Sequence, residues 1–191
     1  MTSAHPTVEL LAEQLLAIIR KQRGAPHRFE TLSKKLRADR PSLDDALRLL
    51  ASWEYHLRIR PSAGITFVSA PDQLTEIEIK RTLRTHTFGR QIHAYRSVQS
   101  TNDIAATQAE HGAPEGTIVV ADQQTRGRGR LGRTWYSPSG CGIYLSLVLK
   151  PKFSPEDAPG LSLMTALALA ETLDSLSPGG VKIKWPNDVL L

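Results

Sequence analysis

In the stretch VELLAEQLLAIIRKQ, the apolar residues Val8, Leu11, Leu15 and Ile18 recur at helical spacing, and Gly24-Ala25-Pro26 stops the pattern. Phe29, Leu32 and Leu36 put a second, shorter helix over 29–36. A third helix is expected to begin at Ser42, just after Pro41. Ser42 suits an N-cap, Asp45 stands three positions on as in a capping box, and Leu43, Ala46, Leu47, Leu50 and Trp53 form the apolar stripe. The period then drops to two: Leu57 and Ile59 alternate with Arg58 and Arg60, PSAG supplies a turn, and Ile65 and Phe67 alternate again.

Three helices followed by a two-stranded ribbon is the layout of a winged helix-turn-helix, assigned here to residues 1–70. SAPDQLTEIEIKRTL reads as a linker entering a helix (71–86), with the domain boundary near Ser69–Leu74. From 87 onward the character changes. GRQIHAYRSVQSTND suggests a strand, a Ser-Thr-Asn turn and a helix over Asp103–His111. GTIVVADQQ is a β-branched run suited to a buried strand, and CGIYLSLVLKP is another strand ended by Pro151. LSLMTALALAETLDSL reads as an apolar helix, and VKIKW as a strand leading into Pro186. Strands and helices alternating over this half call for a mixed sheet with helices packed on it, so the fold class is α+β.

Composition adds little until charge is located. The chain carries 24 basic and 19 acidic residues, and four of the arginines fall in TRGRGRLGRTWYSPSG at 126, 128, 130 and 133. Without them the balance is close to neutral, so this is no chain coated in positive charge for sliding along DNA. One cysteine, Cys141, excludes an internal disulfide framework and a cysteine-rich zinc site, and six scattered histidines give no structural metal pattern. The longest apolar stretch, Leu161–Leu176, carries Glu171 and Asp174 and is too short to span a bilayer. The expectation is a reduced, cytoplasmic protein with no membrane partner.

Three motifs carry candidate chemistry. In the arginine loop, glycines free backbone amides to face an anion, and guanidinium forks grip phosphate or carboxylate in a bidentate way. The same residues suit a minor-groove arm or a solvated hairpin tip, but the position between two strands inside a folded domain favours a ligand loop. STND, Ser100 to Asp103, has the composition of a helix cap. KWPND, Lys184 to Asp188, reads as a turn, or as a Lys-Asn-Asp group able to meet phosphate and Mg²⁺.

Taken in order, Ser-Thr-Asn, ADQQTRGRGRLGRTW, GIYLSLVLKP and KWPND resemble the biotin–protein ligases, over roughly Gly89 to Leu191. The first half resembles, more loosely, the two-domain ligases that double as biotin-operon repressors. The resemblance implies a class II synthetase-like ligase domain over 87–191. It implies a reaction in which biotin and ATP give biotinyl-5′-AMP, and the biotinyl group passes to a lysine of a biotin carboxyl carrier protein. By motif match Ser100, Thr101 and Gln124 contact the biotin head, and Asn102 braces the turn. Arg128 and Arg130 hold carboxylate and phosphate as charge builds, with Arg133 in the same loop. Gly127 and Gly129 let the loop fold over the adenylate. Trp135 packs the closed loop or, equally, an ordinary core. Lys184, Asn187 and Asp188 serve the ATP phosphates, with Asn187 and Asp188 meeting Mg²⁺. Operator DNA and a second copy of the chain are the further partners the resemblance brings in. Lipoate attachment belongs to the same general scaffold, but residues 124–135 do not carry its motifs.

The sequence departs from the family pattern in two places. It ends at Leu191, where the family continues with a lysine, glycine-rich strands and a small β-barrel. The expectation is a C-terminally truncated ligase whose apolar DVLL end leaves a strand unpaired. The start of the third helix carries Asp44 and Asp45, which repel phosphate and which Arg48 alone offsets poorly; a favourable interaction with the helix dipole would explain them. Two readings follow: a ligase whose first domain positions or gates the second, or a biotin-responsive DNA-binding repressor.

Overall fold

The first helix, α1 (Val8–Lys21), turns its core face through Leu11, Ala12, Leu15, Leu16 and Ile19. That face is offset from the expected stripe: Val8 is exposed and Ile18 only half-buried, because the adjacent rows Leu11–Leu15 and Ala12–Leu16 together meet the core. The structure is a computed structural model that describes residues 7–22, 24–129 and 132–191. Helix α2 (Phe29–Leu36) covers the expected range and ends on Arg37 in the left-handed conformation.

Helix α3 spans Arg40–Ser52, two residues longer at its start than expected. Asp39, not Ser42, is the cap, its Oδ1 accepting from the Ser42 amide at 2.9 Å. Pro41 is tolerated inside the first turn because its missing N–H has no intrahelical partner there. This start moves Asp44 and Asp45 beyond the first turn, so the helix-dipole account of them does not hold. They form ion pairs instead, Arg40 Nε with Asp44 at 2.9 Å and Arg48 with Asp45.

Strands β1 (His56–Arg60) and β2 (Gly64–Ser69) form an antiparallel hairpin in which Leu57 faces Phe67 and Ile59 faces Ile65. Ile65 and Phe67 enter the core shared by the three helices, whereas Ile59 stays exposed. His27, just before α2, bridges to Ile65 through two backbone bonds of 2.8 and 2.9 Å. Gly64 makes this approach feasible, since a Cβ there would stand 2.0 Å from the His27 carbonyl oxygen.

Helix α4 (Glu76–Thr82), capped by Thr75, is fastened to the helical core by a partly buried cluster. Glu78 Oε1 accepts from Arg20 at 2.5 Å and from the Tyr55 hydroxyl at 2.6 Å, and the Arg20 guanidinium also stacks 4.7 Å from the Phe67 ring. Burial alone would raise the Glu78 carboxyl, but the hydrogen bonds from Arg20 and Tyr55 outweigh it and hold it below the usual carboxylate range.

A three-stranded mixed sheet follows. Strand β3 (Ile92–Tyr95) runs parallel to β4 (Ile118–Ala121), which pairs antiparallel with β5 (Tyr144–Leu147). The crossover helix between the first two strands is α5 (Thr101–Glu110), which starts two residues before the expected position. All four residues of β4 are buried, as a central strand requires. The chain divides into two compact units, the first ending at Val148 and the second running from Leu149 to Leu191. The second contains α6 (Pro159–Leu176) and the antiparallel pair β6 (Lys182–Lys184) and β7 (Asp188–Leu190). The DVLL end is therefore paired, contrary to expectation. Helix α6 is apolar nearly all round, yet only Ala166 is buried, and Leu163, Met164, Leu167 and Leu169 are exposed.

Candidate ligand site at the arginine loop

The arginine loop is anchored at its base and folded back on itself. On the outgoing arm, Thr125 and Arg126 donate their backbone N–H groups to Val98 and Gln99, both at 2.8 Å. This lays the arm along the segment that precedes α5. On the return arm, Gln124 N donates to Ser137 O at 3.0 Å, Trp135 N to Gly127 O at 2.8 Å, and Gly129 N to Arg133 O at 2.7 Å. The two arms thus form a narrow irregular ribbon, bridged at Gln124–Ser137 and Arg128–Thr134. Gly127 has to be small: a Cβ would lie 2.4 Å from the Trp135 carbonyl oxygen. Arg130, expected among the catalytic residues, lies outside the described residues.

At the loop's base, just past β4, the Asp122 carboxylate accepts from the Ser139 hydroxyl and, at 3.0 Å, from the Gly140 amide. These bonds, aided by the Arg96 charge, hold its carboxyl below the usual range. Asp122 sits at the end of β4, so the sheet itself clamps the loop's exit.

Four of the expected biotin residues meet at the start of α5. Ser100 is 2 % exposed and occupies the N-cap position, but its side chain makes no capping bond. The first amide of the helix is satisfied from the loop instead: Gln124 Oε1 accepts from Thr101 N at 2.8 Å and from the Thr101 hydroxyl at 3.1 Å. Ser146 Oγ, on β5, lies 2.9 Å from Thr101 Oγ1 and 2.7 Å from Asn102 Oδ1. Strand β5 turns this serine inward while Leu145 and Leu147 face out, an inversion of the usual sheet pattern that supplies a polar floor.

Arg128 crosses to Asp103, one residue after Asn102, and forms an exposed ion pair with it. An anion bound at Arg128 would therefore replace a carboxylate already there. Arg133 is exposed, and Gly129 is half-buried between the arms. Trp135 is 61 % exposed, which rules out the core alternative for it. Ser137, Ser146 and Asp122 were not singled out by sequence, whereas Asp103 closes the STND motif. Ser146 alone had a signal, a polar residue in an alternating strand, but alternation does not say which face is inward.

Lys184, Asn187 and Asp188 belong to the second unit: Lys184 ends β6, Asn187 is on the turn and Asp188 begins β7, with Lys184 Nζ 3.7 Å from Asp188 Oδ2. Trp185 on the same turn is 81 % exposed. Among the described residues no group of three or more His, Cys, Asp or Glu is placed to hold a metal ion. Likewise, no helix among them is long and apolar enough to cross a membrane. Two open clefts of about 480 and 570 Å³ lie against α4, and the first of them is also lined by Arg96 and Asp122, beside the base of the arginine loop.

The pattern of the Biotin/lipoate A/B protein ligase family matches residues 94–191. The chain is 34% identical, over 85% of its length and 50% of the relative's, to the bifunctional ligase/repressor BirA of Bacillus spizizenii. It is 30% identical to the Escherichia coli protein of the same name, over 88% of this chain and 51% of the relative. A biotin protein ligase from Aquifex aeolicus, solved in complex with biotin and ATP, aligns with 39% identity and a TM-score of 0.46. That alignment covers 53% of this chain and 42% of the other. The chain spans about half the length of the curated relatives it matches.

Proposed function

The chain belongs to the Biotin/lipoate A/B protein ligase family, and from that premise we propose that it serves biotin–protein ligation. In this reading biotin is activated with ATP to biotinyl-5′-AMP, with release of pyrophosphate, and the biotinyl group is then passed to a lysine of a biotin carboxyl carrier protein. The observation that carries it is the Gln124–Thr101 contact, which ties the arginine loop to the Ser-Thr-Asn helix start.

Ser100, Thr101 and Gln124 would meet the neutral ring of biotin, and Asn102, held by Ser146, would brace the turn. Arg128 would leave Asp103 to hold the carboxylate and the α-phosphate as negative charge builds between them, with Arg130 and Arg133 adding cations from the same loop. Gly127 and Gly129 allow the arms to close, and Trp135, exposed here, would cover the adenylate and keep water from the mixed anhydride. Lys184 would serve the ATP phosphates. Asn187 and Asp188 offer hard oxygen donors suited to an ion such as Mg²⁺ that keeps waters and takes its remaining oxygens from phosphates; bound there, it would neutralise the phosphate charge.

We further read residues 1–70 as a winged helix, 71–86 as its linker helix and 87–191 as the ligase domain, in a cytoplasmic protein. The three-helix core with its hairpin supports this, and so do the ligase/repressor names of the relatives. A second reading, a biotin-responsive repressor acting on operator DNA as a homodimer, draws on the same features. Against it, Asp44 and Asp45 each neutralise an arginine of α3, leaving that helix less cationic charge for a phosphate backbone.

The test is incubation with biotin and labelled ATP: biotin-dependent pyrophosphate release supports the ligase, and none overturns it. A gel shift on DNA upstream of biotin genes that responds to biotin and weakens steeply with salt would favour the repressor.

A further inference from the structure

The Gln124 side chain is held in one orientation. Its Oε1 faces the Thr101 amide, a donor that the opposite flip would set against another N–H. At the other end Nε2 donates to Ser137 Oγ at 3.1 Å, and the Ser137 hydroxyl gives its own proton to the Trp135 carbonyl at 3.1 Å. Committed in this way, Ser137 can only accept from Gln124. The hydroxyl is buried and lies under Gly127, where a Cβ would come within 2.7 Å of Ser137 Oγ. Little room is left there for water to take its place.

We infer that Ser137 is a positioning residue that fixes Gln124 as a hydrogen-bond donor to the bound molecule, so that the ligand group at this point is an acceptor, of the class of a cyclic urea or amide carbonyl oxygen. The inference rests on the biotin reading above for the identity of the ligand, but not for the orientation of the amide. Nε2 carries two N–H groups; Ser137 takes one and the other is turned to the ligand. Oε1, engaged twice by Thr101, is not offered as an acceptor. A ligand presenting an N–H at this point would set donor against donor and leave both unpaired, which is how a site built from fixed polar groups discriminates.

Two measurements on the full chain test this. In a ¹⁵N-labelled sample, one Gln124 side-chain amide proton should exchange slowly with solvent, and Ser137→Ala should abolish that protection. Two fast-exchanging protons in the unsubstituted protein would overturn the assignment, even if Ser137→Ala failed to fold. In calorimetric titration with biotin, Ser137→Ala should weaken binding roughly fivefold, the worth of one net hydrogen bond, and change it less than about twofold in a Gln124→Ala background. Equal losses in both backgrounds would show that Ser137 acts without Gln124 and would overturn the proposal. If the unsubstituted chain binds no biotin, the biotin reading fails, and the exchange measurement alone decides the amide orientation.

Discussion

Gly127 and Glu78 show how much a single side chain can decide here. Gly127→Ala would push a methyl group against the Trp135 carbonyl and the Ser137 hydroxyl, neither of which can yield without parting the loop's two arms. The expected outcome is at least about tenfold weaker biotin binding, from the loss of a net hydrogen bond plus the strain, with a melting temperature lowered by the same strain. Titration calorimetry and thermal unfolding check the two halves of that statement. Glu78 acts on stability rather than on the site. Its carboxyl is lowered in the folded state, so the stabilisation it provides is present above the ordinary carboxylate range and is lost as pH falls through the lowered value. Glu78→Gln should therefore cost stability at pH 7 and less at pH 3, where the unfolded chain's carboxyl is protonated and the lowered native one resists protonation. Urea unfolding at the two pH values measures the difference.

Among the elements, the hairpin β1–β2 depends on the backbone contact that Gly64 permits. Gly64→Ala combines a left-handed φ of +101° with a Cβ 2.0 Å from the His27 carbonyl. It should destabilise the helical core on the order of 1–3 kcal/mol, seen as a lowered thermal midpoint with the arginine loop's ligand binding retained. The elements themselves were largely legible in the sequence, because α2, β2 and β4 are set by periodicity and β-branching that tertiary contacts do not override. Their starts were less so. Ser42 looked like the cap of α3, but Pro41 sits comfortably inside a first turn and Asp39 reaches back to cap it. The start of α5 was misplaced because its cap comes from Gln124, 23 residues away, and no local pattern encodes that. The motifs of the site were readable as residue types in order. The buried serines that orient them, Ser137 and Ser146, were not, since a serine in a loop or strand has no spacing signature until its neighbours are known.

For the molecule as a whole, charge and apolar surface are unevenly distributed. The helical core is well covered, the mixed sheet is closed on one face by α5, and α6 keeps a leucine-rich surface exposed within its own unit. The cationic excess lies in the segment between Gln124 and Ser137, which bridge to each other beyond the ends of β4 and β5. Arg126, Arg128 and Arg133 are exposed along that excursion, and each is a site for trypsin. A single cut there would put Gln124 on one fragment and Ser137 on the other, still held together by the loop's arms, by β4 pairing with β5, by Ser146 on Thr101 and Asn102, and by Asp122 on Ser139 and Gly140. Tryptic nicking of the native chain should accordingly fall first in this segment and slow when biotin and ATP are both present. The rate at which the chain is severed would then report on loop closure without any transfer to a carrier protein.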